Sequence, residues 1–152
     1  MASVPTGVAL LTCGEGSEAD AMTVNCFVSV SLDPLLVMVG VGAAGRMRQR
    51  IEAAGGYAIN VLTDAQSQLP VRFSRRDRPV GNPAMAELAA IPGHTGHPVL
   101  PAALCAMECS LEAVYPAGDH VLLLGRVLAI RSGPDGCMPL LFHRSRYGRV
   151  AH

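Results

Sequence analysis

Thr23-Val24-Asn25-Cys26-Phe27-Val28-Ser29-Val30-Ser31-Leu32 alternates two kinds of side chain without interruption. Val24, Cys26, Val28, Val30 and Leu32 fall on one side; Thr23, Asn25, Phe27, Ser29 and Ser31 fall on the other. Successive side chains of a strand point to opposite faces, so the spacing predicts one extended strand over 23–32. Asp33-Pro34 ends it, and Leu35 to Val41, nearly all apolar, reads as a strand covered on both faces. The polar members, an amide and three hydroxyls, would stand in a row at intervals of roughly 7 Å. Such a row suits the edge of a flat heteroaromatic ring. It equally suits the half-solvated face of an ordinary strand, and the pattern alone does not choose.

The same rhythm continues on either side. Gly7 to Thr12 is an apolar run closed by the turn-forming Gly14-Glu15-Gly16-Ser17, and Tyr57 to Leu62 alternates as a strand. Between them, Arg46 to Ala54 places Met47, Ile51 and Ala54 on one helical face and stops at Gly55-Gly56. Thr63 and Gln66 match a capping box that opens a second helix through Arg72 and Phe73, with Pro70 inside to kink or shorten it. Residues 77–103 are rich in Pro and Gly and read as an irregular loop with a helical turn or two around Met85 to Ala89. Cys105 to Tyr115 alternates again, with Glu108 and Glu112 on the polar side. The turn Pro116-Ala117-Gly118-Asp119 leads into a long strand, His120 to Ile130, and a last short one runs from Pro139 to His143. About six strands with two or three short helices predict a mainly β, closed or partly closed antiparallel barrel forming one domain over 1–152.

Composition narrows the function. Half of the 152 residues are apolar, 16% are charged and the formal net charge is zero. A packed interior follows, and so does a surface with no general attraction for nucleic acid or an anionic membrane. So little charge also leaves apolar surface to hide, which predicts an oligomer. Five cysteines, an odd number without CxxC spacing, read as reduced, buried small hydrophobes. No apolar run approaches membrane-spanning length, and a cytoplasmic location is expected.

Two basic elements have the form of a phosphate holder. One is Gly42 to Met47, a glycine-containing loop entering a helix beside Arg46; the other is Arg72 with Arg75 and Arg76. Either is also an ordinary solvated basic surface. Gly118-Asp119-His120 sets an imidazole beside a carboxylate at a turn, a place for a ligand-contacting or titrating group. His94 and His97 have a spacing that permits metal binding but no acidic or cysteine partner nearby in sequence. No nucleophile elbow, P-loop or dinucleotide fingerprint occurs, so nucleophilic hydrolysis and Rossmann-type binding lack support.

As an ordered set, several segments resemble the short-chain flavin reductases, the reductase components of two-component flavin monooxygenases. They are Pro5-Thr6-Gly7-Val8-Ala9-Leu10-Leu11-Thr12, Met22 to Pro34, Tyr57 to Leu62, Arg72-Phe73, Ala117 to His120, Leu140 to Arg144 and Arg146-Tyr147. The resemblance implies an FMN-binding split barrel, a Greek-key antiparallel barrel that works as a homodimer. It places Thr23, Val24, Asn25, Cys26, Ser29, Val30 and Ser31 along the flavin ring and ribityl chain. It gives the flavin phosphate to Gly45, Arg46 and Met47 with Arg72 and Phe73, and sets His120 with Tyr147 against the nicotinamide. Gly45 and Met47 stand where the family commonly carries hydroxyl side chains, and only five residues precede Thr6, where the family has a helix.

The implied activity is NADH- or NADPH-dependent reduction of FMN or FAD by hydride transfer, feeding a separate monooxygenase. The lack of a dedicated arginine cluster in the late loops leans towards NADH. A flavoenzyme with its own substrate, a flavin carrier and a dimeric interaction module on the same barrel stay open as alternatives.

Overall fold

A computed structural model describes residues 1–151. In chain order the elements are β1 (Thr6–Gly7), β2 (Ala9–Cys13), β3 (Asp20–Val24), β4 (Phe27–Leu32), β5 (Leu35–Gly42), α1 (Arg46–Ala54) and β6 (Gly56–Val61). Then follow α2 (Leu69–Phe73), α3 (Gly81–Glu87), β7 (Ile91–Pro92), β8 (Pro98–Val99), β9 (Cys105–Ala117), β10 (His120–Ser132), β11 (Leu140–His143) and β12 (Arg146–Arg149). One sheet has the order β3-β2-β6-β9-β10-β5-β4, a second β1-β11-β12, and β7 pairs with β8. Every pairing is antiparallel. The fold is mainly β with short helices, as expected of a split barrel.

One feature of the order forces the shape. β3 and β4 lie at opposite edges of the seven-stranded sheet, yet only Asn25 and Cys26 separate them in sequence. Laid flat, those edges would stand roughly 29 Å apart, because neighbouring strands are spaced by about 4.8 Å. The chain from Val24 to Phe27 reaches at most about 11 Å. The sheet therefore has to roll until its two edges meet. The single strand expected over 23–32 is thus a correction: it breaks at Asn25-Cys26, and the alternation runs straight through the break without marking it.

Packing explains why the break falls there. The Phe27 ring turns in beside Gly7, where a side-chain carbon would lie 3.3 Å from its edge. Cys26 lies over Gly40, where an added Cβ would meet its sulfur at 2.9 Å, and the Cys26 carbonyl accepts the Gly40 N–H at 2.8 Å. Gly40 is small because the corner rests on it.

The two faces of β2 serve two cores. Leu11 joins Tyr57, Ile59, Met47, Ile51 and Leu123 inside the barrel, while Leu10 joins Phe73, Leu62, Leu100 and Leu140 beneath the helices. A polar tie crosses between these strands. The buried Asn60 amide donates to the Leu10 carbonyl at 3.1 Å and the Thr12 hydroxyl at 3.0 Å, and its oxygen accepts the Leu100 N–H at 2.9 Å.

Local reading succeeded where local signals decide. α1 runs from Arg46 to Ala54 and stops on Gly55 with φ of 73°. The capping box of Thr63 and Gln66 is present, but it closes only a 3-10 turn, Asp64–Gln66. The expected longer helix is replaced by that turn and the separate α2, which has Pro70 in its first turn, where a missing N–H costs nothing. The stretch 77–103 contains α3 and the small β7–β8 hairpin, and β12 was not separated from the loop that follows β11. Glu108, expected on an outward polar face, is buried. The segment ahead of β8 folds over it, and its carboxylate accepts hydrogen bonds from the backbone N–H groups of His94 and Thr95 and from the Thr95 hydroxyl.

Replacing Asn60 by Ala strands the Leu100 N–H in a dry environment and takes one donor from the Leu10 carbonyl and the Thr12 hydroxyl. The expected cost is about 2–3 kcal/mol, which for a chain of this size lowers the melting temperature by roughly 5–10 °C. A thermal melt within about a degree of the parent would show that the tie contributes nothing.

Candidate functional site

The barrel corner exposes what it does not bury. Asn25, Cys26 and Ser29 are exposed, Ser31 is half-buried, and Val24 is buried in the core. Thr23 is half-buried and its hydroxyl donates to the Pro70 carbonyl at 2.7 Å, tying β3 to the start of α2. Of the expected polar row, Asn25 and Ser29 are the members left open to a ligand. The parity of the row also changes, because a bulge between Ser29 and Ser31 inserts Val30 into the pairing with β5. Val28, Val30 and Leu32 face solvent as well.

The phosphate candidates divide in the same way. Gly45 is exposed at the N-cap of α1 and supplies no capping side chain. Met47 is buried with its sulfur 3.5 Å from that of Cys13, so its side chain belongs to the core. Phe73 is likewise fully buried. Arg72 turns outward and pairs with Glu87 at 2.9 Å, and Arg75 pairs with Asp77 at 3.5 Å.

Arg78, which sequence reading did not single out, turns inward instead. Asp20, the first residue of β3, has a fully buried side chain. It accepts two hydrogen bonds from Arg46, Nε at 2.9 Å and Nη2 at 3.1 Å, and one from Arg78 Nη2 at 3.2 Å. Arg78 also donates from Nε to the Ala21 carbonyl at 2.9 Å. One carboxylate thus joins the two basic segments that the sequence presents separately. The available signal was a lone aspartate opening an otherwise apolar strand; a buried charge of that kind demands cationic partners.

His120 opens β10 directly opposite Gly42 of β5, and the Ala43 N–H donates to the Asp119 carbonyl at 3.0 Å. The histidine turn is thereby set beside the loop entering α1, a proximity that no sequence spacing revealed. His120 Nδ1 lies 2.7 Å from Asp119 Oδ1. That hydrogen bond, with the imidazole charge, holds the Asp119 carboxyl below its ordinary value. Gly42 has open space around the position of a side chain. Tyr147 lies elsewhere: it stacks obliquely on Phe142 with ring centres 5.0 Å apart, in the small sheet and against the second core. Within one protomer His120 and Tyr147 belong to different sheets, so the expected pair is not assembled there. Nor are the late loops poor in arginine, since Arg144, Arg146 and Arg149 share a cleft with His143 and Tyr147. Among the remaining candidates, His97 accepts the Gly14 N–H on Nδ1 and is buried, which lowers its proton affinity.

An exposed amide and hydroxyl at a barrel corner, an open glycine loop, and an arginine-bearing helix start are groups of the kind that can meet a flat, phosphate-bearing ligand. Comparison with known proteins makes this specific. The flavin reductase like domain matches residues 1–151, and the chain belongs to the flavin reductase-like family. It is 47% identical over 147 residues to an NADH-dependent FMN reductase of Streptomyces nodosus subsp. asukaensis, covering 97% of this chain and 80% of the relative. It is 32% identical over 153 residues to the actinorhodin polyketide dimerase of Streptomyces coelicolor, covering 99% of this chain and 82% of that one. Among solved structures, the flavin reductase component of a bacterial two-component tryptophan halogenase superposes with a TM-score of 0.91 at 32% identity, covering 99% and 94% of the two chains.

The cysteines diverge from the uniform burial expected of them. Burial pushes the Cys13 and Cys109 thiols up to about 12, whereas Cys26 is exposed at the corner. Maleimide labelling near neutral pH should modify Cys26 well ahead of Cys13 and Cys109, as read by peptide mapping. Equal labelling of all three would show that the corner is not open.

Proposed function

We propose that this chain is an NADH-dependent flavin reductase that delivers reduced flavin to a separate flavin-dependent monooxygenase. The observation that carries the reading is the register of His120 against Gly42, which puts the histidine turn, the open glycine loop and the arginine-bearing start of α1 at one end of the barrel. Family membership supports oxidoreductase chemistry, and the 47% relative, an NADH-dependent FMN reductase, supports NADH as the donor.

The residues fit a flavin. Asn25 and Ser29 would meet the polar edge of the ring, and the backbone at Val24, Cys26 and Val30 would line its plane. Gly45, Arg46 and the first amides of α1 would hold the phosphate. Met47 and Phe73 would shape that end from the core side. A bound flavin would supply the acceptor for the nicotinamide hydride. The protein's own task is then to hold two flat rings at contact distance and to set donors where negative charge develops on the flavin. His120 would touch the nicotinamide from the turn. Purified protein should oxidise NADH only with added flavin, and His120→Ala should raise the apparent KM for NADH about tenfold with flavin affinity within twofold. Unchanged NADH kinetics would give this histidine another role. Absence of flavin-dependent NADH oxidation altogether would remove the reductase reading.

The relative named a polyketide dimerase supports a second reading, a flavoenzyme with its own organic substrate on the same barrel. NADH oxidation that free flavin sustains without any further substrate favours the first.

The functional unit in this proposal is a homodimer. Leu32 is 85% exposed on β4, and Val28, Val30, Leu128 and Ile130 are exposed on β4 and β10. Among the described residues no helix is long and apolar enough to cross a membrane, and a second copy of the chain is the occupant proposed for this apolar surface. Leu32→Asp should shift the sedimenting species from dimer to monomer. A parent that sediments as a monomer at micromolar concentration would overturn the assembly.

A further inference from the structure

Asp20 lies at the start of β3, and Thr23 and Asn25 follow along the same strand and corner. Three guanidinium groups surround its carboxylate. Arg46 and Arg78 are hydrogen-bonded to it, and Arg50 Nε stands 3.6 Å from Oδ2, buried and without a hydrogen-bond partner among the described residues. Arg50 also reaches Glu18 through its carbonyl and its exposed carboxylate. The arginine side chains differ in access: Arg78 is 9% exposed and Arg46 is 37% exposed.

Two consequences follow. With Glu18 counted beside it, the Asp20 carboxylate still leaves the three-arginine cluster with excess positive charge at the end of the strand nearest α1. The same carboxylate grips Arg46 through two nitrogens, so that guanidinium cannot wander and its remaining donors keep a fixed direction. A negative residue in such a cluster weakens anion binding by its charge and strengthens it by holding the arginines in place.

We infer that Asp20 and Arg78 are positioning residues that aim Arg46 at the terminal phosphate of the flavin, and that the cluster selects the monoester FMN over FAD. The inference rests on the reading of this site as a flavin site. A monoester carries nearly two negative charges on one phosphorus at neutral pH, with a second pKa of about 6. In FAD each phosphate carries one charge, and the second is displaced towards the adenosine. A compact cationic cluster interacts more strongly with charge concentrated at one point.

The test is fluorescence titration of the full-length apo protein with FMN, FAD and riboflavin, for the parent and for Arg46→Gln, Arg78→Gln and Asp20→Asn, with circular dichroism to establish folding. The parent should bind FMN about tenfold more tightly than FAD or riboflavin, an advantage that fades below about pH 6. Arg46→Gln and Arg78→Gln should bring FMN down to the level of riboflavin while leaving riboflavin within twofold. Asp20→Asn should do the same, although it adds net positive charge. Should Asp20→Asn not fold, the partly exposed Arg46 still decides the matter through Arg46→Gln. Equal affinity of the parent for FMN and riboflavin, or tighter FMN binding by Asp20→Asn, overturns the inference while leaving the reductase reading intact. Failure of all three flavins to bind overturns that reading instead.

Discussion

Two residues joining opposite edges of a seven-stranded sheet set the terms for everything else in this molecule. Asn25 and Cys26 cannot span a flat sheet, so the sheet rolls, and the point of closure becomes a corner whose backbone is seated by the contact of Cys26 with Gly40 and by Phe27 turning inward. Once the corner is fixed, β5 passes it at Gly40 and ends at Gly42, β10 aligns His120 with Gly42, and α1 begins a few residues further on. The groups that would meet a ligand come from four separated stretches, yet one closure places them. Rigid strands, not a loop, hold the spacing between the corner and the helix start.

What could be read from the sequence divides along physical lines. α1 was legible to the residue because its signals are local: an apolar face at helical spacing, and a glycine pair that adopts a left-handed turn. The long strands β9 and β10 were legible because alternation persists along them. The break after Val24 was not, since alternation continues through the corner and closure depends on the partners of β3 and β4, which lie far along the chain. Burial of Glu108 was hidden for the same reason. Its outward-looking position is covered by residues 93–97, which supply the hydrogen bonds a buried carboxylate needs.

The site shows the limit more sharply. Resemblance named the loop at Gly45 and Arg46 together with Arg72, which the structure pairs with Glu87, but not Arg78, which it buries against Asp20. Among neighbouring arginines nothing in composition separates a solvated one from a buried one. The distinguishing fact is a partner, and Asp20 lies 58 residues away from Arg78. A chain with zero formal net charge can nevertheless concentrate cations where one buried carboxylate gathers them. Net charge argues about the whole surface and is silent about such clusters.

Strand β4 carries two demands at once. Val28 faces outward opposite Met38, and at the bulge that follows it Ser29 and Val30 are exposed as well. Strict alternation from Phe27, which packs on the barrel core opposite Val39, would have turned Ser29 inward opposite Val37 and left the valines outside. The bulge instead presents apolar and polar groups side by side on an edge that is already the closure point of the barrel. A ligand resting on Ser29 and a second subunit resting on Val28 and Val30 would therefore touch adjacent residues of one short strand. Ordering of that strand by either one would lower the conformational cost for the other, so the proposed assembly and the proposed flavin site would be coupled through the backbone they share.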